Sequence, residues 1–154
     1  MIVLLHNIRS SHNVGSIFRT ADAAGGEKIY LCGITPGPRD QYGRINQRLI
    51  KVSLGSEESM LYGHCRSTSD LIKKLKKEGY KILALEQYKK SGNIFEFRPA
   101  QKLKYALILG EETKGLPADI LKKADKILEI PQRGTKESLN VAVAFGIAVY
   151  HLLY

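Results

Sequence analysis

Tyr105-Ala106-Leu107-Ile108-Leu109-Gly110-Glu111-Glu112-Thr113-Lys114-Gly115-Leu116-Pro117 passes from an apolar pentad through a polar loop bounded by glycines into a proline. Five apolar residues without polar alternation read as a strand buried on both faces. Pro117 suits a helix start, because the first helical turn has no use for its N–H, so a helix is expected from there to about Ala124. Another apolar run, Ile127 to Ile130, follows as a strand. Strand, loop, helix and strand in that order point to a parallel sheet with helical crossovers.

The same unit repeats towards the N-terminus. Lys81 to Leu85 is a strand, preceded by a helix that Ser69 or Asp70 caps and Gly79 ends. Leu71, Ile72 and Leu75 share one face of that helix and lysines the other. Ile2 to Leu5 is the first strand and Lys28 to Cys32 the second. Between them lie a polar loop and a helix from Val14 to about Ala24, with Asn13 as N-cap. Gly33 to Gly43, rich in glycine and proline, is a loop. Ser138 opens a final helix. The expectation is an α/β fold, a mainly parallel sheet covered by helices on both faces, with ligands bound beyond the carboxyl ends of the strands. The least regular loops there follow the first, fourth and fifth expected strands.

Composition bounds the function. The 154 residues fit a single domain spanning 1–154. Two cysteines, Cys32 and Cys65, and four scattered histidines offer neither a disulfide scaffold nor a zinc cluster, so no metal is expected. The longest apolar run, ten residues from Val141 to Tyr150, is short of the about 20 needed to span a membrane. The N-terminus turns polar too early for a signal peptide, so the chain is expected in the cytoplasm. There are 24 Lys and Arg against 15 Asp and Glu, a net +9, and the segment Arg66 to Lys104 alone holds eleven basic and four acidic residues. A polyanion such as RNA would be attracted to such a chain, though a solvated lysine face explains the excess too. In the last helix Leu139, Val141, Val143, Ala144, Ile147, Ala148, Val149, Leu152 and Leu153 populate almost every side. A subunit interface or a central core position would account for that pattern.

No GxxxxGK[ST] loop, GxGxxG turn, HExxH pair or nucleophile elbow is present. What remains are three segments, at Asn13-Val14-Gly15-Ser16-Ile17-Phe18-Arg19-Thr20-Ala21, at Leu109 to Leu116, and at Ile130-Pro131-Gln132-Arg133-Gly134 with Ser138-Leu139-Asn140-Val141. Singly, each reads as helix caps and turn punctuation.

In combination, over the whole chain and in this order, they closely resemble the three motifs of the SpoU/TrmH-type RNA 2′-O-ribose methyltransferases of the SPOUT superfamily. The resemblance implies a deep trefoil knot in the C-terminal part and a homodimer through it. It implies S-adenosylmethionine as cofactor, held by Leu85, Glu86, Leu109, Gly110, Gly115, Ile130, Pro131, Gln132, Ser138 and Leu139. Arg19 corresponds to the family's catalytic arginine, and Asn13, Glu112, Ser138 and Asn140 to further catalytic positions. The substrate it implies is a ribose 2′-hydroxyl in structured RNA. No N-terminal RNA-binding extension is seen, so tRNA is favoured over rRNA. The basic residues Arg9, Arg39, Arg44 and Arg48 are the candidates to grip the RNA. Gln132-Arg133 departs from the methionine that many relatives carry after Ile-Pro.

Overall fold

A computed structural model describes residues 1–154. Its core is a seven-stranded sheet in the order β3-β2-β1-β6-β4-β7-β5, parallel throughout. The strands are β1 (Ile2–His6), β2 (Lys28–Cys32), β3 (Tyr62–Cys65), β4 (Tyr80–Leu85), β5 (Gly92–Asn93), β6 (Lys104–Leu109) and β7 (Lys126–Glu129). The helices are α1 (Ser11–Ala23), α2 (Gln47–Ser53), α3 (Ser56–Ser59), α4 (Thr68–Lys77), α5 (Ala118–Leu121) and α6 (Val141–Leu153).

The period of two along the strands splits the core into two layers. Val3 and Leu5 of β1, with Leu107 and Leu109 of β6, meet Phe18 of α1 and Phe145 of α6 on one face. Ile2 and Leu4, with Ala106 and Ile108, meet Leu71, Ile72 and Leu75 of α4 on the other. Each fully buried Leu, Ile or Phe contributes about 1.5–3 kcal/mol of transfer free energy, which makes these runs the main stabilising term. The lysines of α4 (Lys73, Lys74, Lys76 and Lys77) are exposed, the solvated face that the spacing describes.

The parallel sheet with helices on both faces is as expected, and it has two strands more than the apolar runs indicate. Strand β3 is Tyr-Gly-His-Cys at an edge, without an apolar run, and β5 is two residues long. Four helix starts also differ, and Pro117 is the N-cap of α5, which runs from Ala118 only to Leu121. Ser10, not Asn13, caps α1, its Oγ accepting from the Asn13 backbone N–H at 3.2 Å. Ser67, not Ser69 or Asp70, caps α4. Helix α6 begins at Val141 with Asn140 as cap, not at Ser138. The α1 shift has a consequence: Asn13 lies inside the first helical turn, and its side chain is free for other partners.

Helix α6 buries Phe145, Ala148, Val149 and Leu152 against the sheet and α1. Gly146 faces Thr20 of α1, where an added Cβ would stand 3.8 Å from the threonine methyl. Val143, 52% exposed, and Tyr150, 47% exposed, are left open on the outer side. One chain therefore covers only part of this helix. No helix is long and apolar enough to cross a membrane.

Candidate functional site

The carboxyl ends of β4, β6 and β7 lie side by side, Leu85 in register with Leu109 on one side and Leu128 on the other. Their loops enclose a cleft of about 580 Å³. Leu85, Glu86, Leu109, Gly110, Gly115, Ile130, Gln132, Ser138 and Leu139 line it, all of the cofactor residues expected except Pro131. Pro131 is exposed and outside the lining. A hollow of about 660 Å³ at the opposite, amino end of the strands, between Met1, Tyr105 and Leu152, contains no motif residue.

The wall formed by Gly110 to Leu116 doubles back tightly. The Gly115 N–H donates to the Glu111 carbonyl at 3.0 Å. A Cβ on Gly110 would stand 2.5 Å from the Gly115 carbonyl carbon, so only glycine fits there. The outer end of this wall is clasped by Glu86. Its Oε2 accepts from the Leu116 N–H at 2.6 Å and its Oε1 from the Gln87 N–H at 3.1 Å. The resemblance places Glu86 among the cofactor contacts; the structure adds a second task, since this carboxylate fixes the shape of the neighbouring loop. A carboxylate directly after a buried strand is the only trace of that task in the chain.

Glu112 performs a similar task towards α1. Its Oε1 accepts from Asn13 Nδ2 at 3.0 Å and from the Ser10 N–H at 3.3 Å, and its Oε2 from the Arg9 N–H at 3.3 Å. Partial burial on its own would raise the pKa of this carboxyl. The hydrogen bonds from Asn13, Arg9 and Ser10 and from its own backbone outweigh that and hold it below the usual glutamate range. Asn13 in turn accepts from Asn140 Nδ2 at 3.1 Å, while Asn140 Oδ1 caps α6 through the Ala142 N–H at 2.9 Å. Residues from all three segments thus form one network within a single chain. Glu112 and Asn140 also line the cleft, and Asn13 stands behind them.

Arg19 is not part of that lining. It is exposed on α1 six residues after Asn13, without a hydrogen bond or ion pair. Ser138 lines the cleft from an exposed stretch before α6. Of the basic candidates, Arg9 is at the rim, its guanidinium 3.9 Å from Glu111. Arg39 and Arg44 share the loop after β2, and Arg48 is exposed on α2. Glu129 and Glu137 line the cleft without having been singled out by any motif, since an isolated carboxylate in a chain has no spacing to betray it.

The donor set suits a nucleoside that carries a positive charge. Leu85, Leu109, Ile130 and Leu139 offer apolar contact to a ring, and several carboxylates face the same space. Its volume falls in the range of about 300–1,000 Å³ typical of small-ligand sites. No group of three or more His, Cys, Asp or Glu side chains is arranged to hold a metal ion.

Known proteins resemble the chain over nearly its whole length. The SpoU rRNA Methylase family matches residues 1–150. A 23S rRNA (guanosine(2553)-2′-O)-methyltransferase of Bacillus subtilis is 34% identical over 98% of this chain and 57% of its own length. The tRNA (guanosine(18)-2′-O)-methyltransferase of Escherichia coli is 30% identical over 97% of this chain and 61% of its own. The chain thus spans little more than half the length of these curated relatives. Among solved structures, an AdoMet-bound rRNA methyltransferase from Sinorhizobium meliloti superposes with a TM-score of 0.87 and 29% identity, covering 97% of this chain and 54% of that one. The TrmH/SpoU tRNA modifying enzyme of A. aeolicus gives 0.83 and 29%, covering 97% and 72%.

Proposed function

The chain belongs to the SpoU rRNA methylase family, and from that membership we propose that it transfers a methyl group from S-adenosylmethionine to a ribose 2′-hydroxyl of RNA. The observation that carries the reading is the convergence of the three segments: Glu112, Asn13 and Asn140 are bonded in one network beside a cleft lined by the residues that the family resemblance assigns to the cofactor.

Bound S-adenosylmethionine supplies an electrophilic methyl group on a sulfonium centre. The protein's part is to orient it and the ribose and to stabilise developing charge. Leu85, Leu109 and Ile130 would hold the adenine by apolar contact, beside the Gly110–Gly115 wall. Through its cationic guanidinium Arg19 would grip a phosphate and stabilise negative charge developing on the 2′-oxygen, whose proton passes to solvent. Glu112 is a positioning residue, because its oxygens are committed to three donors and its lowered pKa makes it a poor base. Asn13 links it to Asn140, and through Asn140 the network fixes where α6 starts.

We infer a homodimer through α6, supported by the apolar Val143 and Tyr150 that one chain leaves open. We also infer that the segment from β4 to α6 is tied in the trefoil knot of the family, in keeping with the interleaved strand order β6-β4-β7-β5. Relatives are named for both tRNA and rRNA. We favour tRNA as the substrate, and both pools belong in the test. Label transferred from methyl-labelled S-adenosylmethionine into either RNA supports the reading. Firm cofactor binding without label in any RNA pool argues against it.

A further inference from the structure

The loop between β2 and α2 presents an aromatic side chain that the fold does not use. Tyr42 is 73% exposed, and the Arg44 guanidinium lies 5.0 Å from its ring centroid. The loop is stiff despite being on the surface. Asp40 accepts from the Tyr42 N–H and the Arg44 N–H, both at 2.9 Å, and from Arg44 Nε at 2.7 Å. Arg39 pairs with Ile45 across the turn and donates to the Gly43 carbonyl at 3.1 Å. Asn46 anchors the base of the loop to Ser11 of α1 and to Gly37.

Within the fold Tyr42 has only the cation–π contact of Arg44, and most of its surface stays in solvent. A flat ring backed by one arginine and accompanied by another is, however, the equipment that stacks on an unpaired base while cations meet the phosphates. The loop stands on the same rim of the sheet as the cleft, since β2, β1, β6 and β4 are successive strands. At about 4.8 Å per strand, the end of β2, from which the loop springs, is about 10–15 Å from the ends of β6 and β4 beneath the cleft, a span that one RNA strand covers.

We propose that Tyr42, braced by Arg44, is a stacking platform for an unpaired nucleotide flanking the methylated one. The proposal rests on the RNA-methylating reading above and adds a substrate preference to it: RNA with unpaired bases next to the target. A second copy of this chain docking on the same loop is the competing use, and the test separates the two.

The full chain is titrated with a short RNA hairpin carrying an unpaired loop and with a fully paired RNA duplex of equal length. Tyr42→Ala is expected to weaken hairpin binding about tenfold, the weight of one base–aromatic stack, and to leave duplex binding unchanged. Tyr42→Phe keeps the ring and is expected to bind as the parent does. The chain has no tryptophan, so Tyr42→Trp adds a unique fluorophore that the hairpin, and not the duplex, should quench. Wild-type hairpin affinity in Tyr42→Ala, or equal losses on hairpin and duplex, overturns the platform alone. A change of oligomeric state in Tyr42→Ala assigns the loop to a contact between copies and overturns it too. If the parent chain binds neither RNA, the RNA reading itself falls, and the platform with it.

Discussion

The side-chain amide of Asn140 donates to the side-chain oxygen of Asn13 at 3.1 Å, tying the cap of the last helix to the first turn of α1. Glu112 holds the other end of Asn13. The starts of two helices and the wall of the cleft are therefore set by three polar side chains, and disturbing one is expected to move the others.

Glu112→Gln places an amide N–H against backbone N–H donors. A loss of about 1 kcal/mol is expected at neutral pH, small because the group is partly exposed. The folded-state pKa of Glu112 is lowered, so its contribution is present above the unfolded-state pKa and fades as pH falls through the folded one. Thermal unfolding of both proteins across acid pH checks this: the gap should close on acidification. A gap that widens there contradicts the hydrogen bonding described.

Gly110→Ala forces a Cβ to within 2.5 Å of the Gly115 backbone. Overpacking of this kind costs about 1–3 kcal/mol, and the loop can accommodate it only by shifting. Calorimetry should show S-adenosylmethionine binding weakened at least tenfold, whereas Gly63→Ala, whose added Cβ meets only ordinary contacts on the edge strand β3, should leave it intact.

Arg19→Ala should abolish methyl transfer. Arg19 is exposed and unpaired, so stability should change by no more than about 0.5 kcal/mol and cofactor affinity should hold. Turnover that survives this substitution removes Arg19 from the chemistry.

Much of this was legible in the chain, for physical reasons. Uninterrupted runs such as Ile2–Leu5 and Tyr105–Leu109 can only be buried strands of a sheet covered on both sides, and they are. The pair Gly92–Asn93 and the edge strand Tyr62–Cys65 have no such run, because edge positions need no two-sided burial. The start of α1 was misplaced because Ser10 and Asn13 are both good caps, and the choice depends on Glu112, 99 positions further along, claiming the asparagine. The clasp of Glu86 on Leu116 is a contact across 30 positions that no local pattern encodes.

Val143→Asp tests the dimer. Val143 is 52% exposed in one chain, so the fold should survive a charge there while a subunit contact should not. Sedimentation should show a folded monomer in place of a dimer. A stable dimer in this variant rejects the α6 interface.

The most direct test of the central claim is nucleoside analysis of RNA methylated by the chain. Unmodified tRNA and rRNA are each incubated with S-adenosylmethionine, digested to nucleosides and resolved by mass spectrometry. The account predicts a new 2′-O-methylnucleoside in one pool, absent with Arg19→Ala. A methyl group found on a base, with every ribose unmodified, would contradict it.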